Sequence, residues 1–172
     1  MPHAFEFSFV RSAKLDGDTA VTLKASDGDD VAGHETVDPE NTLARAIKIG
    51  KFNGRFATHL DLIAPQGSKA DRLIVVGLGR STELVAHDWM RAGGAVAAKI
   101  AGAEAATIFL DVPGLVPDSR QVADFALGML LRGYDFDRYK TTTKNGEEEP
   151  KKPKKIAHIS LVTASATAAR KA

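Results

Sequence analysis

The chain lacks several features that would place it in particular classes of protein. It has no cysteine in 172 residues, which excludes disulfides, a thiolate nucleophile and cysteine ligands for a metal. Its first residues, Met1 to Glu6, contain neither a basic segment nor an apolar run, so no secretory signal is predicted. A net charge of +1 argues neither for nor against a polyanionic partner. These absences make the cytoplasm the expected location, with no role in a membrane.

What is present is typical of one globular domain, with 44% hydrophobic and 26% charged residues. The apolar run from Leu73 to Val76, closed by Gly77 and Gly79, predicts a central strand covered on both faces. The segment Thr58 to Ile63 is joined to it by a turn too short for a parallel return, so this pair is expected to be antiparallel. Ala105 to Leu110 follows a long crossover and is expected to be parallel to the central strand. The sheet is therefore predicted to be mixed.

Alternating and helical patterns predict the remaining elements. Strands are expected around Phe5 to Phe9 and Val21 to Leu23, and a last strand over Ile156 to Thr163. Three helices are predicted: one that opens at Asp38-Pro39 and ends at Gly50, one from Ser81 or Thr82 to Ile100, and one from Asp118 or Ser119 to Gly133. The expected buried residues of the two longer helices are Trp89, Gly93, Val96 and Ile100, and Val122, Phe125, Ala126, Met129 and Leu130. The predicted fold is a three-layer α/β/α sandwich.

The glycine turn after the central strand is the first candidate binding site. Backbone N–H groups at such a turn, together with the start of the next helix, can hold a phosphate, which makes Gly77, Gly79 and Ser81 candidate ligand-binding residues. The turn lacks both the third glycine of a dinucleotide site and the lysine of a P-loop. A purely structural turn is the alternative interpretation.

The charged segments offer two further candidates. A basic cluster could contact nucleic-acid phosphates, although Glu147 to Glu149 lie beside it; its lysines are Lys151, Lys152, Lys154 and Lys155. Ser26 to Glu40 carries six acidic groups without the ligand spacing of an EF-hand, so a solvated loop is expected there. The five histidines are scattered, and no metal site or catalytic residue is predicted from them.

Two segments carry a resemblance to a known family. Asp71 to Gly79 (DRLIVVGLG) and Gly133 to Thr141 (GYDFDRYKT) resemble the N-terminal domain of the leucyl aminopeptidases, also called cytosol aminopeptidases or peptidase family M17. The resemblance covers essentially the whole chain. It implies an α/β domain akin to the macro domain, followed in the family by a catalytic domain with two divalent metals, manganese or zinc. No segment here matches the family's metal-binding or catalytic motifs.

The resemblance implies a domain arrangement and a set of partners. Residues 1–163 are expected to form the macro-like domain, and residues 164–172 to begin a linker helix toward an absent catalytic domain. The expected partner is that catalytic domain, within a parent that is a homohexamer, whereas this chain alone is expected to be a monomer or weak dimer. The expected role is a non-catalytic domain of a peptide-hydrolysing enzyme. The alternatives are phosphate or ADP-ribose binding and DNA binding.

Overall fold

The structure is a computed structural model that describes residues 4–15, 18–133 and 156–171. Its strands are β1 (Ala4–Val10), β2 (Thr19–Ala25), β3 (His59–Ile63), β4 (Arg72–Gly79), β5 (Ala105–Phe109) and β6 (Ile156–Val162). Its helices are α1 (His34–Val37), α2 (Thr42–Ile49), α3 (Ala86–Lys99), α4 (Ser119–Gly133) and α5 (Ala166–Ala169). A short 3-10 turn over Ser81–Glu83 precedes α3.

The six strands form a single mixed sheet in the order β1-β6-β5-β2-β4-β3. Neighbouring strands are parallel except for β3, which is antiparallel to β4. This confirms the predicted antiparallel pair and the predicted mixed sheet. Every residue from Ala20 to Ala25 in β2 and from Leu73 to Leu78 in β4 is buried. Both faces of the centre of the sheet are therefore covered, as the predicted three-layer fold requires.

The two long helices pack against each other. The predicted face of α3 is confirmed, because Trp89, Val96 and Ile100 are at most 2% exposed and Gly93 is buried. On α4 the prediction was wrong at Leu130, which is 45% exposed. Gly128 lies on the face of α4 that packs against α3. Leu130, two residues further along, therefore lies on the opposite side of the helix and faces solvent.

The acidic stretch after β2 is more structured than the solvated loop expected there. It contains α1, and the side chains of Val31, Ala32 and Val37 are buried. The next helix, α2, begins at Thr42, so the predicted start at Asp38-Pro39 was wrong. Asp38 still caps this helix, because its carboxylate oxygens accept the backbone N–H groups of Leu43 and Ala44 at 2.8 and 2.9 Å. The cap is thus supplied from outside the helix.

The last helix, α5, is attached to the body of the domain. It contacts α4 and β1, and Ala166 and Ala169 are buried. Ser165, just before it, donates its hydroxyl to the carbonyl oxygen of Pro117 at 2.7 Å. Within the residues that the structure describes, no helix is long and apolar enough to cross a membrane.

Candidate functional site

Gly77 and Gly79 lie inside β4, not in a turn after it. The segment 54–58 passes directly beside them. A Cβ on Gly77 would overlap the carbonyl oxygen of Arg55, so no larger residue fits without moving this backbone. The N–H of Gly77 donates to Thr58 at 2.8 Å, and that of Gly79 donates to Gly54 at 2.9 Å. Both N–H groups that were predicted to face a ligand are therefore bonded to the protein's own carbonyl groups.

Ser81 is bonded to a carboxylate of the chain itself. Its N–H donates to both oxygens of Asp27 at 2.9 and 3.1 Å, and its hydroxyl donates to Oδ2 at 2.9 Å. The backbone N–H of Ser81 is the main cause that lowers the pKa of Asp27 below its ordinary value of 3.8. Asp27 is thus the anion at the position where a ligand phosphate was expected. A ligand role for Gly77, Gly79 and Ser81 stays a prediction.

Ser81 and Thr82 do not cap α3, which begins at Ala86, so that part of the prediction was wrong. The cap comes from within the helix instead. The Oδ2 of Asp88 accepts the backbone N–H of Val85 at 3.1 Å, and Oδ1 accepts from Arg91 at 3.0 Å. Because valine has no polar side chain, only one half of a capping box can form here.

Lys24 is a buried charged residue that the sequence analysis did not identify. It is 6% exposed, and its Nζ donates to the carbonyl oxygens of Ala25 at 3.5 Å, Asp29 at 3.1 Å and Gly28. A buried ammonium is tolerated only when hydrogen bonds replace its hydration. These bonds fix the loop that follows β2, which is the loop that presents Asp27 to Ser81. Lys24 therefore stabilises the conformation of the loop at the carboxyl end of β2.

A cleft of about 200 Å³ opens at the carboxyl ends of the parallel strands. It lies between the segments that follow β2 and β5, which continue toward opposite edges of the sheet, and open α/β sheets bind ligands at such positions. Its polar lining consists of Arg11, Ser12, Thr36 and Asp111. Asp111 is already used in the fold, because it accepts the hydroxyl of Thr163 at 2.6 Å and the N–H of Ala164 at 2.7 Å.

The other predicted candidates are separated from this edge or lie outside the described residues. Lys151, Lys152, Lys154 and Lys155 belong to the part of the chain that the structure does not describe. Among the described residues, no group of three or more His, Asp or Glu side chains is placed to hold a metal ion. The Nδ1 atom of His158 in β6 lies 3.1 Å from the Oε2 atom of Glu6 in β1, and both side chains are exposed.

Comparisons with known proteins identify what the chain is similar to. Residues 21–143 match the model of the "Cytosol aminopeptidase family, N-terminal domain". A "Probable cytosol aminopeptidase" of Rhizobium etli (strain CIAT 652) is 51% identical over 172 residues, which are 100% of this chain and 34% of that protein. The protein of the same name from Rhizobium meliloti (strain 1021) is 47% identical, with the same coverage. The chain thus spans about a third of the length of these curated relatives.

Solved structures show the same fold. A mutant of tomato leucine aminopeptidase superimposes with a TM-score of 0.66 at 16% identity, over 93% of this chain and 32% of that chain. The bottromycin maturation enzyme BotP, solved in complex with Mn, superimposes with a TM-score of 0.60 at 15% identity, over 90% and 28%. The comparisons give no support to the ADP-ribose and DNA-binding alternatives. On the family match and the whole-chain identity to its relatives, the chain belongs to the cytosol aminopeptidase family and corresponds to its N-terminal domain.

Proposed function

We propose that this chain is the non-catalytic N-terminal domain of a metal-dependent aminopeptidase that releases N-terminal amino acids, leucine among them, from peptides. The observation that carries the proposal is the alignment: all of this chain corresponds to one third of each cytosol aminopeptidase relative. The matched family model is that of the N-terminal domain. The catalytic groups are therefore assigned to the two thirds of the full-length protein that this chain does not contain.

The proposal includes two divalent metals, manganese or zinc, bound by the catalytic part. The structural neighbour BotP was solved in complex with Mn, which supports the proposal of a metal of this kind in the catalytic part. Two such metals activate a water molecule as the nucleophile and polarise the carbonyl of the scissile bond. The role assigned to this chain is structural, as the partner of its own catalytic domain.

The proposal also covers boundaries, assembly and location. The N-terminal domain is placed at 1–163, with 164–172 as the start of the connection to the catalytic domain. Because α5 packs on α4 and β1, the start of this connection is held against the domain. The full-length protein is proposed to be a cytoplasmic homohexamer whose subunit contacts are made largely by the catalytic part.

An activity assay on two lengths of chain tests the assignment. The full-length protein and the 172-residue chain are compared with leucine p-nitroanilide and Mn²⁺, with a metal-only blank and a chelator control. We expect turnover by the full-length protein that the chelator abolishes, and only the blank rate from the 172-residue chain. Reproducible activity of the short chain would refute its non-catalytic role, and an inactive full-length protein would refute the aminopeptidase assignment.

A further inference from the structure

The cleft at the carboxyl ends of the parallel strands has no part in the proposed function. Its volume is about 200 Å³, and it is lined by residues that end or follow β1, β2, β5 and β6. Pockets for drug-sized ligands measure about 300–1,000 Å³, so a smaller molecule suits this cleft. A concave site in which a few polar groups converge beside apolar side chains is typical of ligand binding.

Two opposite charges line this cleft without forming an ion pair. Among the residues that the structure describes, neither Arg11 nor Asp111 has a partner of opposite charge. The guanidinium of Arg11 donates one long bond, at 3.4 Å, to the hydroxyl of Thr167, and it has further N–H donors to offer. Each oxygen of Asp111 accepts one bond, from Thr163 or Ala164, and so keeps a second lone pair. Both charges can therefore still bind a ligand.

Two hydroxyls and an apolar wall complete the lining. In the part of the chain that the structure describes, the side-chain hydroxyls of Ser12 and Thr36 form no hydrogen bond. Phe109 and Val162 are only 4% and 8% exposed and form the apolar wall. The ring of Phe109 lies directly against Gly33, where a Cβ would overlap it. The cleft thus combines a cation, a carboxylate, two hydroxyl donors and an apolar surface.

We propose that this cleft binds a free α-amino acid in its zwitterionic form. The carboxylate of the amino acid accepts hydrogen bonds from Arg11 and from the two hydroxyls, and its ammonium group donates to Asp111. Hydrogen bonds between ionised partners are the stronger ones, and a zwitterion forms them at both ends. An apolar side chain of the amino acid packs against Phe109 and Val162.

A phosphate or a nucleotide suits the same lining less well. Arg11 would attract a phosphate, but Asp111 carries the same sign of charge and would repel it. A nucleotide is also a drug-sized ligand, for which the cleft is small. Leucine is chosen as the probe because the proposed function releases such amino acids from peptides. The assignment of a zwitterion rests only on the lining of the cleft.

Titration of the 172-residue chain with L-leucine tests the proposal. Under the proposed function this chain contains no active site, so an active site cannot account for binding. The chain is labelled with ¹⁵N and followed by NMR at constant ionic strength. We expect saturable shifts of the backbone amides of Ser12 and Thr36, with a Kd of about 1 mM or lower.

Two analogues of leucine separate the contributions of its charges. Leucinamide keeps the ammonium group without the carboxylate, and 4-methylpentanoate keeps the carboxylate without the ammonium group. Each should bind at least about tenfold more weakly than leucine, because each leaves one charge of the cleft unpaired. Equal binding of leucine and 4-methylpentanoate would overturn the proposal, as would equal binding of leucinamide. Tighter binding of inorganic phosphate would overturn it too, since the cleft would then be an anion site.

A pair of arginine variants locates the binding. Arg11→Gln should weaken leucine binding at least about tenfold. Arg45→Gln removes the same charge from an exposed position on α2 outside the cleft and should bind like the unmodified chain. Both arginines are exposed, so both variants should keep the thermal midpoint of the unmodified chain. Equal losses in the two variants would show that leucine does not bind in the cleft.

Failure of this inference and failure of the proposed function give different results. Aminopeptidase activity is measured separately on the full-length protein. Leucine binding by the 172-residue chain together with an inactive full-length protein would refute the proposed function alone. An active full-length protein together with no saturable shift in the 172-residue chain would refute only this inference.

Discussion

At the scale of single residues, the ion pair between Asp61 and Arg72 joins the edge strand β3 to β4. The guanidinium uses two nitrogens, and its Nε lies 3.0 Å from Oδ1 of Asp61. The hydrogen bond from Arg72 is the main cause that lowers the pKa of Asp61 below its ordinary value of 3.8. A carboxyl group whose pKa is lowered by folding stabilises the protein above its unfolded pKa. That contribution is lost as the pH falls through the folded value.

The change Asp61→Asn should therefore reduce stability at neutral pH and make stability depend less on pH in the acid range. We expect a loss of about 0.5 kcal/mol at pH 7, as for other largely solvated ion pairs. The two stability curves should begin to converge as the pH falls below about 3.8, and they should meet only when the pH is below the lowered pKa of Asp61 in the folded protein. Urea unfolding at a series of pH values measures this. The control is Asp30→Asn, which removes an exposed carboxylate after β2 and so reports the effect of net charge alone. Parallel curves of stability against pH for Asp61→Asn and the unmodified chain would contradict the role given to the ion pair.

The burial of Lys24 could not be predicted from the local sequence. Alternation in Val21, Thr22, Leu23 and Lys24 places the two polar residues on a solvent-facing side of the strand. In the structure Thr22 and Lys24 are buried, because β2 lies between β5 and β4 and both of its faces are covered. Strand alternation is a local property, whereas strand order depends on pairings between distant segments. The burial of Lys24, and its role in the loop at the carboxyl end of β2, could therefore not be predicted from its neighbours in sequence.

At the scale of elements, the contact between α3 and α4 depends on glycines. Gly93 and Gly128 let the two backbones approach so closely that a Cβ on either would overlap backbone atoms of the other helix. Gly94, the neighbour of Gly93, is different. A Cβ there would lie 3.5 Å from the carbonyl oxygen of Gly128, which is an ordinary contact. The two adjacent glycines thus provide a matched pair of substitutions.

Gly93→Ala and Gly94→Ala should change stability in opposite directions. The first introduces an overlap with backbone that cannot move without separating the helices, and it should cost about 3 kcal/mol. The second replaces glycine inside a helix without a steric conflict and should stabilise the protein by up to about 1 kcal/mol. Urea denaturation followed by circular dichroism measures both. Equal effects of the two alanines would show that the helices do not cross where the structure places them.

The glycine crossing also explains which part of α4 was predictable. Helical periodicity correctly assigned Val122, Phe125, Ala126 and Met129 to the buried side. It failed at Leu130 because the leucines at 127, 130 and 131 continue the apolar surface of α4 beyond its buried side. Periodicity locates an apolar face but not its edges when apolar residues continue beyond it. Those edges depend on the neighbouring helix and its glycines.

At the scale of the whole molecule, the sheet and its layers were predictable, and the candidate site was predictable only in part. The strands followed from apolar runs and short connections. The interpretation of Gly77 as a ligand-facing residue depended on what approaches it, and the segment that does so, 54–58, has no periodic pattern. A glycine required for close approach looks the same in sequence whether the neighbour is a phosphate or the protein's own backbone.

The last prediction concerns assembly of the 172-residue chain. Three leucines of α4 remain exposed to solvent, Leu127, Leu130 and Leu131. Their surface is still small beside the roughly 800 Å² per partner of a stable dimer. We therefore expect a monomer or a weak dimer in sedimentation velocity experiments at several concentrations. Any weak association should fall in the Leu131→Glu variant and persist with Ile63→Glu on the opposite sheet edge. A hexamer that does not dissociate on dilution would show that this domain contains an assembly interface of its own.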